Sequence, residues 1–296
     1  MASLELRGLT KSYAGKKFTR IPALNDLSLE ISAGEVFGFI GPNGAGKSTT
    51  IKLIMGLIKP DAGGINILGC PAGNPEARLR VGYLPENPAF YDFMTAREYL
   101  SFVGQLFKMT PELIQVQMKH VLEIVTLDDA ADRPIRGFSK GMVQRLGLAQ
   151  VLLHDPDLYI LDEPMSGLDP LGRALVKEII KDLRHRGKTV FFSTHITTDV
   201  EMVCDRVGVI MAGKLQAVDK VSTILERGET GYRIYVNSVD GEARETDISK
   251  DELSEFILRC QAENASVVRV EPRRKDLEAF FLDIVARSAD ESFKTP

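Results

Sequence analysis

The sequence predicts an α/β fold with an antiparallel β edge, a helical subdomain and a small C-terminal α+β domain. Three observations predict it. The apolar run Val36–Ile40 leads into the glycine-rich GPNGAGKST of residues 41–49 and then into a helix-compatible stretch, 50–55, so a strand turns sharply into a helix. Residues 158–161 are four apolar side chains followed by Asp162 and Glu163, the pattern of a central parallel strand with acids at its carboxyl end. Between residues 95 and 153 apolar side chains recur three and four apart, so a helical block interrupts the α/β alternation.

The chain in order supports this. Residues 3–13 alternate like a strand, as do 24–31, which gives the antiparallel edge. After residues 41–49 and their helix come a turn at 60–64 and strands at 65–68 and 81–84, the last ended by Pro85 and Glu86. The helical subdomain spans about 88–155 and closes with Ser139, an N-cap residue, ahead of a final helix. The strand before Asp162 follows, then a helix at 171–185 and a strand at 188–192 that ends in Ser193, Thr194 and His195. Two short strands, 207–211 and 214–218, and a helix complete a first domain, 1–227. Residues 228–288 read strand, strand, helix, strand, helix, a domain of their own, and the polar tail 289–296 reads as disordered.

The glycine-rich stretch carries chemistry. Gly41, Gly44 and Gly46 let the backbone curl so that successive N–H groups, from Asn43 to Lys47, face one anion. The helix beginning near Lys47 adds its positive end. Lys47 can reach β- and γ-phosphates and the Ser48 hydroxyl can ligate Mg²⁺, while Pro42, Ala45 and Thr49 complete the loop. The fixed positions of this pattern match by chance in on the order of one chain in a hundred. Flanking strand and helix lower that further, so the stretch reads as a nucleoside triphosphate site in a P-loop NTPase core. In an open α/β sheet the acids after residue 161 share its ligand edge. Asp162 then reaches Mg²⁺ through water, and Glu163 lies nearer the γ-phosphate.

Composition narrows the class. Of 296 residues 44% are hydrophobic, enough for one sizeable domain and a small one, and the formal net charge of -4 gives no general attraction for nucleic acid or anionic membrane. Three scattered cysteines without a CxxC pair argue against a disulfide framework or a zinc site and suit a reducing cytoplasm. No apolar run approaches the roughly 20 residues that cross a bilayer. Any membrane role is therefore borrowed from a partner.

Over residues 3–225 the motifs, in their order, resemble the ATP-binding subunit of ABC transporters. Residues 41–49 match Walker A and 158–163 Walker B; Ser166, Gly167, Leu168 and Asp169 resemble the D-loop. His195 resembles the switch histidine, and Tyr13, by itself an ordinary strand-end residue, the adenine-stacking aromatic. Phe138, Ser139, Lys140, Gly141 and Met142 are a variant of the LSGGQ signature, and Glu86 stands where most members have the Q-loop glutamine. A carboxylate there accepts hydrogen bonds but cannot donate, and adds negative charge. Both variants look similar to bacterial and archaeal exporter-type members, and 228–288 resembles their accessory domain.

The resemblance implies an ATPase, dependent on Mg²⁺ held at Ser48, Asp162 and Glu86. Glu163 would be the general base, with Lys47 and His195 beside it. It implies a head-to-tail homodimer, or pairing with a similar subunit, in which Ser139, Lys140, Gly141 and Met142 meet the other subunit's ATP and Asp169 links the two sites. A separate polytopic permease would hold the protein at the cytoplasmic face of the membrane and export an unknown substrate; no nucleic acid is expected. The rival is a soluble ABC-type ATPase acting on DNA or the ribosome, which usually carries two cassettes, a coiled coil or a zinc insertion. A P-loop kinase has no use for the signature.

Overall fold

The structure is a computed structural model that describes residues 2–15, 19–237, 243–249, 251–274 and 277–292. Its contacts divide the chain into two units, Met1–Val218 and Asp219–Pro296.

In the first unit β1 (Ala2–Ala14) and β2 (Arg20–Ser32) pair antiparallel; Leu4 and Leu6 of β1 and Leu27, Leu29 and Ile31 of β2 alternate and are buried, as is Leu9 beyond a register shift. β3 (Val36–Ile40) is buried at every residue and leads through residues 41–46 into α1 (Lys47–Ile54). β4 (Ala62–Ile67) pairs antiparallel with β1 and carries the two-residue β5 (Cys70–Pro71), giving a four-stranded edge sheet β2-β1-β4-β5. β4 takes in Gly63 and Gly64, expected as a turn, because Gly63 lies so close to β1 that a Cβ would stand 2.5 Å from the Arg7 carbonyl oxygen.

A short α2 (Pro75–Leu79), absent from the sequence reading, precedes β6 (Val81–Leu84). The helical subdomain is α3 (Ala96–Leu106), α4 (Pro111–Ile124) and α5 (Lys140–Leu152), started respectively by the capping side chains of Thr95, Thr110 and Ser139. The chain then re-enters the core as β7 (Leu158–Asp162), α6 (Pro170–His185), β8 (Thr189–Thr194), α7 (Thr197–Val203), β9 (Arg206–Met211) and β10 (Lys214–Lys220). The main sheet runs β10-β9-β3-β8-β7-β6. β9, β3, β8, β7 and β6 are mutually parallel, so their carboxyl ends share one edge. β3, β7 and β8 are buried on both faces, which is why they read as continuous apolar runs.

The second unit holds α8 (Val221–Gly228), β11 (Glu229–Asn237), β12 (Ala243–Ile248), α9 (Leu253–Ala262), β13 (Ser266–Arg274) and α10 (Leu277–Ser292). Its antiparallel sheet, ordered β12-β11-β13, buries Ile234 and Val236 with Cys260 of α9. The opposite face carries an Arg233–Asp247 ion pair at 2.9 Å and Arg269 over the Tyr235 ring at 4.5 Å.

The contacts divide after Val218, the expected boundary lying after residue 227, and α8, which buries Val221 and Ile224, packs on β13 and α10 of the second unit. α10 also continues to Ser292, into the tail expected to be disordered from Ala289; no Gly or Pro interrupts it there. Residues 293–296 lie outside the described residues.

Candidate functional site

The shared carboxyl edge gathers most of the residues singled out in the sequence. Residues 41–46 leave β3 there. Gly41 is required for space, since a Cβ would lie 2.4 Å from the Ile210 carbonyl oxygen. Gly46 adopts φ +115° at the N-cap of α1, where a Cβ would lie 2.8 Å from the Ala23 carbonyl oxygen. Among the described residues no side chain caps α1 at Gly46, so the helix keeps the uncapped N-terminal end that can receive an anion.

Lys47 is 6% exposed. Its ammonium donates to the Gly41 carbonyl at 2.7 Å and stands 3.7 Å from Glu163 Oε1. Burial lowers its pKa below the ordinary lysine value, against the opposite pull of Glu163, Asp162 and Glu86. Asp162 ends β7 with Oδ1 accepting the Ser193 hydroxyl at 2.6 Å and Ser48 Oγ at 3.5 Å.

Glu163 follows at φ +49°, a backbone conformation rare for a residue with a side chain and typical of functional sites. Its N–H donates to Ser193 Oγ at 3.1 Å and to the Ser193 carbonyl at 3.2 Å. Both its carboxylate oxygens lie 3.1 Å from His195 Nδ1, carried just past the end of β8. Adjacent strands β7 and β8 thus hold the acid–histidine pair. Glu86, exposed after β6 at the same edge, lies near enough to act on the Lys47 charge. Tyr13 is 39% exposed at the end of β1, its hydroxyl 3.4 Å from Thr49 Oγ1, so its ring borders the loop.

The residues that resemble the signature form a second cluster. Ser139 caps α5 by accepting the Met142 N–H at 3.3 Å. A Cβ on Gly141 would touch Leu168 Cδ2 at 3.6 Å, and one on Gly167 would stand 2.6 Å from Lys140 Cε, so this turn packs on residues 167–168. Asp169 caps α6, accepting the Gly172 N–H at 2.8 Å. Among the described residues no hydrogen bond or ion pair joins Ser139, Lys140, Gly141 or Met142 to Lys47 or Glu163.

Two residues of this region were not assigned roles from the sequence. Ser193, fully buried, serves both acids, yet its only signal was a polar strand tip. Gln144, 3% exposed, donates to the Pro164 carbonyl at 3.2 Å and reads in sequence as one more polar residue in a helix.

Comparison with known proteins identifies the family. The sequence pattern of the ABC transporter family matches residues 24–166. An uncharacterized ABC transporter ATP-binding protein of Synechocystis sp. is 38% identical over 278 residues, 89% of this chain and 78% of that protein. Nod factor export ATP-binding protein I of Rhizobium meliloti (strain 1021) is 35% identical over 301 residues, 96% of this chain and 88% of that protein. The solved dimeric post-hydrolysis state of an ATP-binding cassette bound to ADP and Pi is 25% identical, with a TM-score of 0.68 over 74% of this chain and 98% of that one. The chain therefore belongs to the ABC transporter family, as its ATP-binding, ATP-hydrolysing subunit.

Proposed function

We propose that this subunit drives export through a separate membrane permease, with Glu163 as the general base of hydrolysis. The observation that carries the chemistry is the Glu163 carboxylate held between Lys47 at 3.7 Å and His195 at 3.1 Å, at the mouth of the glycine loop. Lys47 and the N–H groups of the loop and α1 hold the phosphates. Glu163 takes a proton from the attacking water, which His195 orients. Tyr13 stacks on the adenine.

Ser48 and Asp162 offer two hard oxygens 3.5 Å apart, and Glu86 lies near enough to act on the neighbouring Lys47 charge; oxygen donors of this kind fit Mg²⁺. Ser48 and Asp162 would hold Mg²⁺ there, and its charge would help neutralise the phosphates.

A second copy, or a similar ATPase subunit, completes the site by presenting Ser139, Lys140, Gly141 and Met142. The exposed Ser139 at the start of α5 supports this, as does the dimeric state of the solved cassette. Asp169 would link the two sites. ATP closes such a dimer and hydrolysis opens it, a ligand-driven two-state switch.

An exposed aromatic cluster supports docking to a permease. Tyr91, Phe93 and Phe102 are 56%, 71% and 39% exposed. The Tyr91 ring lies 5.9 Å from Phe93 and 6.4 Å from Phe102. Contiguous apolar surface of this kind marks interaction sites. Among the described residues no helix is long and apolar enough to cross a membrane, so membrane attachment falls to the partner. Export is supported by the Nod factor export relative.

The test is a mild-detergent pull-down of the tagged chain from native membranes, with ATPase assayed in the eluate. A polytopic protein is expected to co-elute and to be lost on Tyr91→Ser/Phe93→Ser. Sedimentation with ribosomes or DNA instead would support the soluble ATPase. In parallel, Glu163→Gln is expected to bind ATP but turn it over at least about a hundredfold more slowly. Rapid turnover by that variant removes Glu163 from the role.

A further inference from the structure

We infer that Gln144 is a positioning residue through which the start of α5 sets the Glu163 carboxylate. Gln144 lies five residues past the Ser139 cap, about 7.5 Å along a rigid helix. It is 3% exposed, and its Nε2 donates to the Pro164 carbonyl at 3.2 Å. Pro164 has no N–H, so that carbonyl is the one backbone group by which its position can be held.

Glu163 is then anchored on both sides. Its own N–H is fixed to β8 by Ser193, and the following residue is fixed to α5 by Gln144. Between the two anchors the backbone keeps φ +49°, a conformation that persists where the surroundings impose it. The packing of Lys140 on Gly167 and of Leu168 on Gly141 ties the same two segments together. A shift at the start of α5 therefore reaches the residue after Glu163 through a rigid helix and one buried hydrogen bond. The inference rests on Glu163 as the base.

The test compares Gln144→Leu and Gln144→Glu with the wild-type chain, measuring kcat, KM and binding of a fluorescent ATP analogue. Gln144→Leu leaves the Pro164 carbonyl without its donor. It is expected to lower kcat by roughly tenfold with nucleotide affinity unchanged, equivalent to about 1.4 kcal/mol in the barrier. In Gln144→Glu only the protonated carboxyl can donate, so its kcat should recover as pH falls, relative to wild type.

Turnover of Gln144→Leu within twofold of wild type, or a parallel loss of affinity and turnover, overturns the inference. If Gln144→Leu does not fold, a Gln144→Glu profile that follows the wild-type profile overturns it. Glu163→Gln assayed alongside separates the two readings: fast turnover there removes the base, whatever the Gln144 variants do.

Discussion

Replacing Ser193 by alanine removes one hydroxyl that serves both acids at the sheet edge. That hydroxyl, in a fully buried residue, donates to Asp162 Oδ1 at 2.6 Å and accepts the Glu163 N–H at 3.1 Å. A hydrogen bond to a charged group contributes about 1.5–3 kcal/mol. The Glu163 N–H keeps the Ser193 carbonyl at 3.2 Å, so its share of the loss is small. The Asp162 carboxylate, 4% exposed, is left with Ser48 Oγ at 3.5 Å, too long to compensate. Ser193→Ala should therefore destabilise the first unit by about 2 kcal/mol, a fall in Tm of about 4–8 °C for a unit of this size. Thermal melting followed by circular dichroism reads the shift, and steady-state ATPase reads the chemistry, where kcat should fall as Asp162 and Glu163 loosen. A melting temperature within about 1 °C of wild type, with normal turnover, would refute the reasoning.

Other changes probe separate parts of the molecule. Gly46→Ala puts a Cβ 2.8 Å from the Ala23 carbonyl oxygen at φ +115°, so it should lower ATP affinity by more than about tenfold. A fluorescent-nucleotide titration that returns wild-type affinity contradicts the loop geometry. Asp199, 1% exposed, receives Arg173 at 2.7 Å and Lys177 at 2.9 Å, tying α6 to α7. Asp199→Asn should cost about 2 kcal/mol in urea unfolding and Arg173→Ala less, since Lys177 remains; the reverse order would be inconsistent with the pairing.

His154, stacked on Phe107 with ring centroids 3.6 Å apart, has its pKa lowered by burial to about 4. Above its ordinary value of about 6.5 the ring is neutral in both states. As pH falls toward 4 the unfolded chain takes up a proton that the fold refuses, so stability is lost across that window, by at most about 3 kcal/mol. His154→Phe should flatten the pH dependence of unfolding there, and an unchanged slope would exclude the histidine as its source.

Much of the fold was legible because its signals are local. The strand–loop–helix at residues 36–54, the buried acid-ended strand and the helical period of the subdomain each depend on near neighbours in sequence. α2 and α7 were not, since five and seven residues are too few to establish a period. The contact division after Val218 has no local signal, because α8 looks the same whichever unit buries Val221 and Ile224.

The sequence by itself determined the glycine-rich loop, the paired acids, the Ser139 cap of α5 and the order of these motifs, because each is a matter of residue type and spacing. The tertiary structure alone decided which of them meet. β7 and β8 become neighbours only through the crossovers of the sheet, and that adjacency sets His195 against Glu163 and Ser193 beneath both acids. The same applies to Gln144, a polar residue on a largely buried helix whose partner is Pro164, 20 residues away in sequence. A hydrogen bond between distant segments leaves no periodic trace in either one, so it enters only when packing brings the donor to its acceptor.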